Sequence, residues 1–439
     1  MFELSYDDLK SICQASTKLN KIFKANTNNI MEGKIFSSGL VFAQEHDNEF
    51  PPHPLGFTEM QLDLKKNECV IDVVSYINSE EWFYLTNCGT VYYQHNNDFL
   101  SERTKLPLVH RMNFKEKIIK IVDKGGLCSF FTNDGSVYIY NNNKPLFAFG
   151  VEKLIGDKDP NNLIHMINIT FKFIIIDIVA SNDFLILLTN EGKCYGVGDS
   201  RHTDTENDTL VPQEIKLKKP VKKIAGNAYS WFYLCNDDTL YGFGRNVFGQ
   251  LGIGHYNLQK FTTKGRTFKV LKNCQEIYSY EGNSFAITKK GDLYVCGNGE
   301  RGVLGDGDVS DHAVSVFKQI VFPYPVMSVS GSSRLGPQTT FIMTIDFKVY
   351  VCGWKPNYVT GKIADMDDDY DSGTFKLLNC PPVTRIVCIG FGAFYFTPQL
   401  QYSNRFKCVN CKINNATLQS PIVSRLVYCS QDCANQHLM

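Results

Sequence analysis

Hairpin signals recur along this chain at a nearly constant interval, and that period restricts the fold more than any other feature. A strand-like apolar run, a short turn holding Gly or Asp, and a second run through an aromatic residue are clearest in WFYLCNDDTLYGFG, residues 231–244, and SFAITKKGDLYVCG, residues 284–297. The same pattern is legible in WFYLTNCGTVYYQ, SFFTNDGSVYIY, FLILLTNEGKCYGVG and FIMTIDFKVYVCG. The turn positions fall at 89, 135, 192, 238, 291 and 347, in steps of 46 to 57 residues. Such a period marks repeat architectures, whose units cannot bury an apolar face alone and must stack on neighbours. Before several of these hairpins lies a further apolar run, such as Ile118 to Val122, Phe173 to Val179 and Val221 to Ala225. Each unit therefore holds enough strand for a four-stranded propeller blade.

Two fragments remain, EGKIFSSGLVFAQ from Glu32 to Gln44 and TRIVCIGFGAFYFTP from Thr384 to Pro398. Sharing one blade between the two chain ends closes a ring and removes exposed sheet edges. The sequence predicts an all-β chain: a seven-bladed β-propeller over residues 31–400, closed by N- and C-terminal strands in one blade. It is flanked by a short N-terminal helix and lead-in over 1–30 and a small zinc knuckle over 401–439.

The chain has 45 basic and 45 acidic residues, so no global field holds a nucleic acid or an anionic membrane, and any such contact needs a local patch. Thirteen per cent aromatics and 33 glycines suit strands and tight turns. The opening MFELSYDDLKSICQ carries acid where a secretory signal carries base, and no apolar run nears the ~18 residues of a membrane span. The expectation is an intracellular protein, cytoplasmic or nuclear, without membrane insertion. Cysteines scattered singly in strand-like runs, such as Cys296 and Cys352, then read as small core residues. The nine histidines form no recognisable constellation with Cys, Ser or Asp, which argues against an enzyme.

G-x-N-x-x-G-Q-L-G-x-G at Gly244 to Gly254 and GNGERGVLGDG at Gly297 to Gly307 resemble the signature of the regulator of chromosome condensation repeats. The likeness is specific over Gly226 to Gly307 and pattern-level over the rest of Gly33 to Pro398. It implies a propeller that engages protein partners on loop-rich faces, as a scaffold. It implies, as alternatives, guanine-nucleotide exchange on a Ran-type or other small GTPase, or a ubiquitin-pathway adaptor. Gly297, Gly299 and Gly302 also spell G-x-G-x-x-G, but a dinucleotide site requires a following helix, which Val303 to Asp308 cannot supply.

Near the C-terminus, Cys408-x2-Cys411 is followed by Cys429-x3-Cys433. Two close thiolate pairs are what a tetrahedral structural zinc needs, and a tail too short to bury a core would draw folding energy from the metal. The expected cofactor is one structural zinc on Cys408, Cys411, Cys429 and Cys433, with His437 as a possible replacement ligand; unliganded core cysteines are the alternative. Tyr428-Cys429-Ser430-x-x-Cys433 resembles the last part of a MYND-type finger, a protein-interaction module, truncated to single-zinc size.

Ser5 to Asp8 precede Leu9, Ile12, Cys13, Leu19, Ile22 and Phe23, which predicts a capped amphipathic helix over 6–23, docked on the propeller or on a partner. The basic stretches Lys216 to Lys223 and Arg103 to Lys124 read either as solvated loop edges or as contacts for DNA or a phosphorylated partner. Ile155 to Phe171 and the acidic Asp365 to Asp371 read as insertions between blades.

Overall fold

The computed structural model describes residues 35–40, 58–59, 68–76, 81–95, 109–123, 128–140, 166–169, 174–180, 184–198, 209–226, 230–256, 268–280, 282–331, 339–354, 371–378, 385–389 and 391–396, the single positions 62, 64, 65, 380 and 383, and 418–419 with 427–428. Among these residues the chain is an all-β propeller without α-helix. Its strands form seven four-stranded antiparallel sheets and one two-stranded ladder.

Six of the four-stranded sheets are each built from one continuous stretch of chain. The first comprises Val70–Tyr76, Glu81–Thr86, Val91–His95 and His110–Arg111; the fifth comprises Cys274–Tyr280, Asn283–Thr288, Leu293–Asn298 and Ala313–Ile320. The remaining sheet is composite. Ile35–Leu40 and Thr58–Glu59 join Arg385–Ile389 and Phe391–Phe396, with Ile35 opposite Phe396 and Leu40 opposite Phe391. Strands of the composite sheet touch the inner strands of both the sixth and the first sheets.

Burial follows the order of strands. The second strand of several sheets is buried at every position, as in Glu81–Thr86, Ser230–Cys235, Asn283–Thr288 and Thr339–Thr344. Such a strand is covered on both faces by neighbouring sheets, so it reads as a near-continuous apolar run rather than an alternation. The outermost strands are far more open: Ala313–Ile320 exposes Val316, Lys318 and Gln319, and Ser372–Leu378 exposes Thr374, Lys376 and Leu377. Core clusters accordingly span sheet boundaries, as where Phe83 and Leu85 pack with Phe130 and Ile121.

The hairpin between second and third strands repeats one geometry. Thr86 N–H donates to Thr90 O at 2.9 Å and Gly89 N–H to Thr86 O at 2.9 Å, with Gly89 at φ +81°. A three-residue loop of this kind needs a left-handed residue at its last position. Gly135, Gly192 and Gly291 fill that place in other sheets, while Asp238 (φ 62°) and Phe347 (φ 60°) adopt the same conformation with a side chain.

One expectation changes. Ile155 to Phe171 is not wholly an insertion, because Met166–Ile169 pairs with Val137–Tyr140 as the outermost strand of the second sheet. The run is mostly apolar but only four residues long, too short for its periodicity to mark it as a strand. The segment after Gly297 forms only a 3-10 turn, Glu300–Gly302, with Arg301 left-handed at φ 61°. The N-terminal helix over 6–23 and the four cysteines of the knuckle lie outside the described residues. In that region the structure describes one ladder, pairing Leu418 with Tyr428 and Gln419 with Val427.

Candidate functional site

An antiparallel four-stranded blade sends its connections to two opposite faces. On one face lie the hairpin turns and the links from each outer strand to the next inner strand; on the other lie the glycine loops.

The glycine loops are spent on packing. In Gly244 to Gly254, Asn246 is fully buried, accepts from Leu251 N–H at 2.8 Å and donates to His255 O at 2.6 Å. A Cβ at Gly249 would meet Ser315 Cα at 2.7 Å, and one at Gly252 would meet the Phe317 ring at 2.5 Å. Ser315 and Phe317 belong to the outer strand of the following sheet. The second loop repeats the device: Gly302 abuts Gly373 and Ser372, and Gly305 abuts Phe375. Thiols tie the same seams, since Cys296 Sγ donates to Gln250 O at 3.3 Å and Cys352 Sγ to Val303 O at 3.5 Å. The signature motif is thus an inter-sheet strap, with Gly249, Gly252, Gly302 and Gly305 packed against neighbouring strands.

His312 closes the second strap. Its Nε2 lies 3.2 Å from Asp306 Oδ2 and its Nδ1 lies 3.0 Å from Ser310 O. Asp306 is buried and also accepts from Lys318 Nζ at 3.1 Å. Burial of the imidazole favours its neutral form, but the Ser310 carbonyl and the Asp306 and Asp308 carboxylates outweigh this and raise its pKa.

The turn face carries the charge. The inner strand of each of the six contiguous sheets bulges after its first residue, and in five of them the third position is ionic: Asp72, Lys120, Asp177, Lys223 and Glu276; Arg385, the first residue of the composite sheet's inner strand, joins them. Lys120 Nζ reaches Asp177 at 3.3 Å, Lys223 pairs with Glu276, and Arg385 Nη2 reaches Asp72 at 2.7 Å, each across a junction between sheets. Sequence reading missed this belt, although the third place of Ile118-Ile119-Lys120 and Val221-Lys222-Lys223 was its signal.

The basic stretch Lys216 to Lys223 also lies here. Leu217 packs against the buried cluster holding Trp231 and Tyr233, and Lys216 and Lys218 beside it are exposed. Lys219 pairs with Asp237, while Lys222 at 2.7 Å and Lys289 at 2.5 Å share Asp238. These partners hold the Asp237 and Asp238 carboxyls below the usual range, against a burial cost at both. The same face exposes Ile119, Ile174, Ile176, Val321, Tyr324 and Met327.

Among the described residues no three His, Cys, Asp or Glu side chains gather as metal ligands, and no helix is long and apolar enough to cross a membrane. The buried Glu81 accepts from Tyr93 Oη at 3.0 Å and Tyr140 Oη at 2.5 Å, so two phenols fix it in place.

Comparison with known proteins agrees with this architecture. No protein-family model matches the chain. The chain is 27% identical to the ultraviolet-B receptor UVR8 of Arabidopsis thaliana over 188 residues, 40% of each protein. It is 24% identical to the guanine nucleotide exchange factor SRM1 of Saccharomyces cerevisiae over 241 residues, 52% of this chain and 47% of that one. The matched stretch thus spans less than half the length of either relative. With the regulator of chromosome condensation of Mus musculus it shares 22% identity over 353 residues, covering 71% of this chain and 80% of that one. The solved structure of Prp20p from Saccharomyces cerevisiae superposes with a TM-score of 0.61 at 18% identity, covering 84% of this chain and 91% of that one. Human WBSCR16 gives the same TM-score at 14% identity, covering 83% and 100%. These likenesses support the regulator of chromosome condensation repeat family and its propeller.

Proposed function

We propose that this chain is a non-catalytic scaffold that holds protein partners on its propeller. The observation that carries the reading is the set of charged and apolar side chains that the turn face presents, Ile119, Ile174, Val321 and Met327 among the latter. In this reading the composite sheet is the seventh blade and closes the ring, supported by its contacts with the sixth and first sheets. A closed ring is a rigid platform, and rigid platforms lower the entropy cost of docking.

Guanine-nucleotide exchange is the second reading. It is favoured by the similarity to SRM1, a guanine nucleotide exchange factor, and to Prp20p, whose structure was described with its binding to Gsp1p and histones. Release of fluorescent GDP from Ran-type and Rab-type GTPases, measured with and without the chain, separates the two. The scaffold reading expects no acceleration, together with protein partners recovered by cross-linking in the native cell. Accelerated release moves the conclusion to exchange, and cross-linking that yields no partner overturns the scaffold.

The knuckle completes the proposal. Cys408, Cys411, Cys429 and Cys433 hold one structural zinc, in support of which the Leu418–Tyr428 ladder folds the intervening segment back between the two pairs. Four thiolates fill a tetrahedral shell and leave no open position for catalysis. Elemental analysis of the purified chain is expected to find one zinc per molecule, lost in C408S/C429S; folded, zinc-free protein overturns the assignment.

A further inference from the structure

We infer that an arc of the turn face, running from Lys216 to Met327, is a docking site for an acidic polypeptide segment with an apolar end. The inference deepens the scaffold reading and rests on it.

The arc is one hydrogen-bonded ribbon in which inter-sheet links and hairpin turns alternate. Asn236 N–H donates to Pro220 O at 2.9 Å, Cys274 N–H to Asp238 O at 3.0 Å, Lys289 N–H to Asn273 O at 3.1 Å and Val326 N–H to Gly291 O at 2.8 Å. The backbone under these side chains is therefore fixed. Pro220 abuts Gly192 and Pro325 abuts Gly291 so closely that a Cβ would meet them at 2.9 and 2.3 Å. A ligand meeting this surface does not have to order it.

Charge along the ribbon does not cancel. Asp237 and Asp238 are occupied by Lys219, Lys222 and Lys289. Among the described residues, no ion pair engages the exposed Lys216, Lys218, Lys272 and Lys290. Four cations on two links and a turn, set on either side of the lysine-paired Asp237 and Asp238, complement carboxylates in an extended chain.

Past Lys290 the arc turns apolar. Val321 is 89% exposed, and Tyr324 and Met327 are exposed beside it. Lys348 Nζ lies 4.4 Å from the Tyr324 ring centroid, which steadies that ring. An exposed valine and methionine next to lysines match leucine or phenylalanine on a peptide. They do not match a nucleic acid, for which stacked aromatics and arginine forks are the usual complements. The occupant assigned is thus polypeptide.

The probe is a fluorescein-labelled peptide of glutamates and aspartates ending in Leu-Phe, titrated with the full-length chain by fluorescence anisotropy at low salt. K218E/K272E/K290E is expected to weaken binding by about tenfold, since each reversal both removes an attraction and adds a repulsion to the acidic probe. V321S/M327S is expected to weaken binding by about threefold with an unchanged salt dependence. These side chains are exposed, and a thermal melt verifies that both variants fold. Equal affinity of the wild type and the charge-reversal variant overturns the site. Duplex DNA that binds the same lysines more tightly than the peptide overturns the polypeptide assignment. Neither failure touches the scaffold reading, whose own cross-linking test does not use the arc.

Discussion

Arg385 Nη2 lies 2.7 Å from Asp72 Oδ1, and this ion pair joins the inner strand of the composite sheet to the inner strand of the first sheet. Arg385 also lies over the Phe396 ring, 5.8 Å from its centroid. Burial raises the pKa of Asp72, and the opposing pull of Arg385 and Lys120 only partly offsets it. R385A is expected to destabilise the fold by about 1–2 kcal/mol, because it strips a buried carboxylate of its partner while Arg385 itself is half exposed and screened.

The sign of the pH effect follows. A carboxylate whose folded pKa is raised costs stability once pH exceeds its unfolded value, and loss of Arg385 raises that pKa further. The deficit of R385A should thus be larger at about pH 8 than at about pH 4.5. Urea unfolding at both pH values checks this, and a D72R/R385D swap should recover part of the loss.

His312 supplies a second dependence of the same sign, centred nearer neutral pH. Its folded pKa is raised, so its contribution is full below the unfolded value and fades as pH rises through the folded one. Gly299 N–H donates to His312 O at 2.8 Å and reports on the strap directly. Hydrogen exchange at Gly299, corrected for intrinsic rate, is expected to accelerate between about pH 6 and 8, and H312Q should flatten the profile.

Glycines within one strap should differ in tolerance. Gly302 is left-handed at φ +75°, and its Cβ would sit 2.6 Å from Gly373 Cα; Gly307 is at φ +102° with nothing within 4 Å. G307A carries backbone strain alone, about 1–2 kcal/mol. G302A adds an overpacked seam and should cost about 3 kcal/mol or more. Equal midpoints for the two variants in urea would contradict the strap.

Thiol reactivity tests the burial of the core. Cys88 is exposed on its turn, whereas Cys128, Cys274, Cys296 and Cys352 are buried. Burial pushes the Cys274 thiol up to about 12 and those of Cys296 and Cys352 well above their ordinary value. Brief alkylation mapped by mass spectrometry should modify Cys88 before these four, which should react only in denaturant.

How much of this was legible in the sequence depended on the number of faces each residue must satisfy. The second strands announced themselves, because burial on both sides favours continuous apolar runs such as Trp231 to Leu234 and Phe285 to Ile287. Gly89, Gly192 and Gly291 marked their turns, because only glycine adopts positive φ without strain. Met166–Ile169 was missed because a mostly apolar run of four residues carries too little periodicity to be read as a strand. The ionic belt escaped because Lys120 and Asp177 are 57 residues apart and meet only once two sheets stack. The basic stretch at Lys216 to Lys223 was legible, but its partners were not, since the three acids come close only in space: Asp237 and Asp238 at a turn, and Glu276 in the next sheet.

The composite sheet has a consequence for synthesis on the ribosome. Ile35–Leu40 emerges early, yet its partner Phe391–Phe396 is translated some 350 residues later, and the register opposes Ile35 to Phe396 itself. Chains fold from the N-terminus as they are made, at about 5–20 residues per second. A nascent molecule therefore carries an unmatched strand for tens of seconds while the six contiguous sheets stack. Stalled or truncated translation products would retain that open edge, which makes them natural clients for chaperones and proteases.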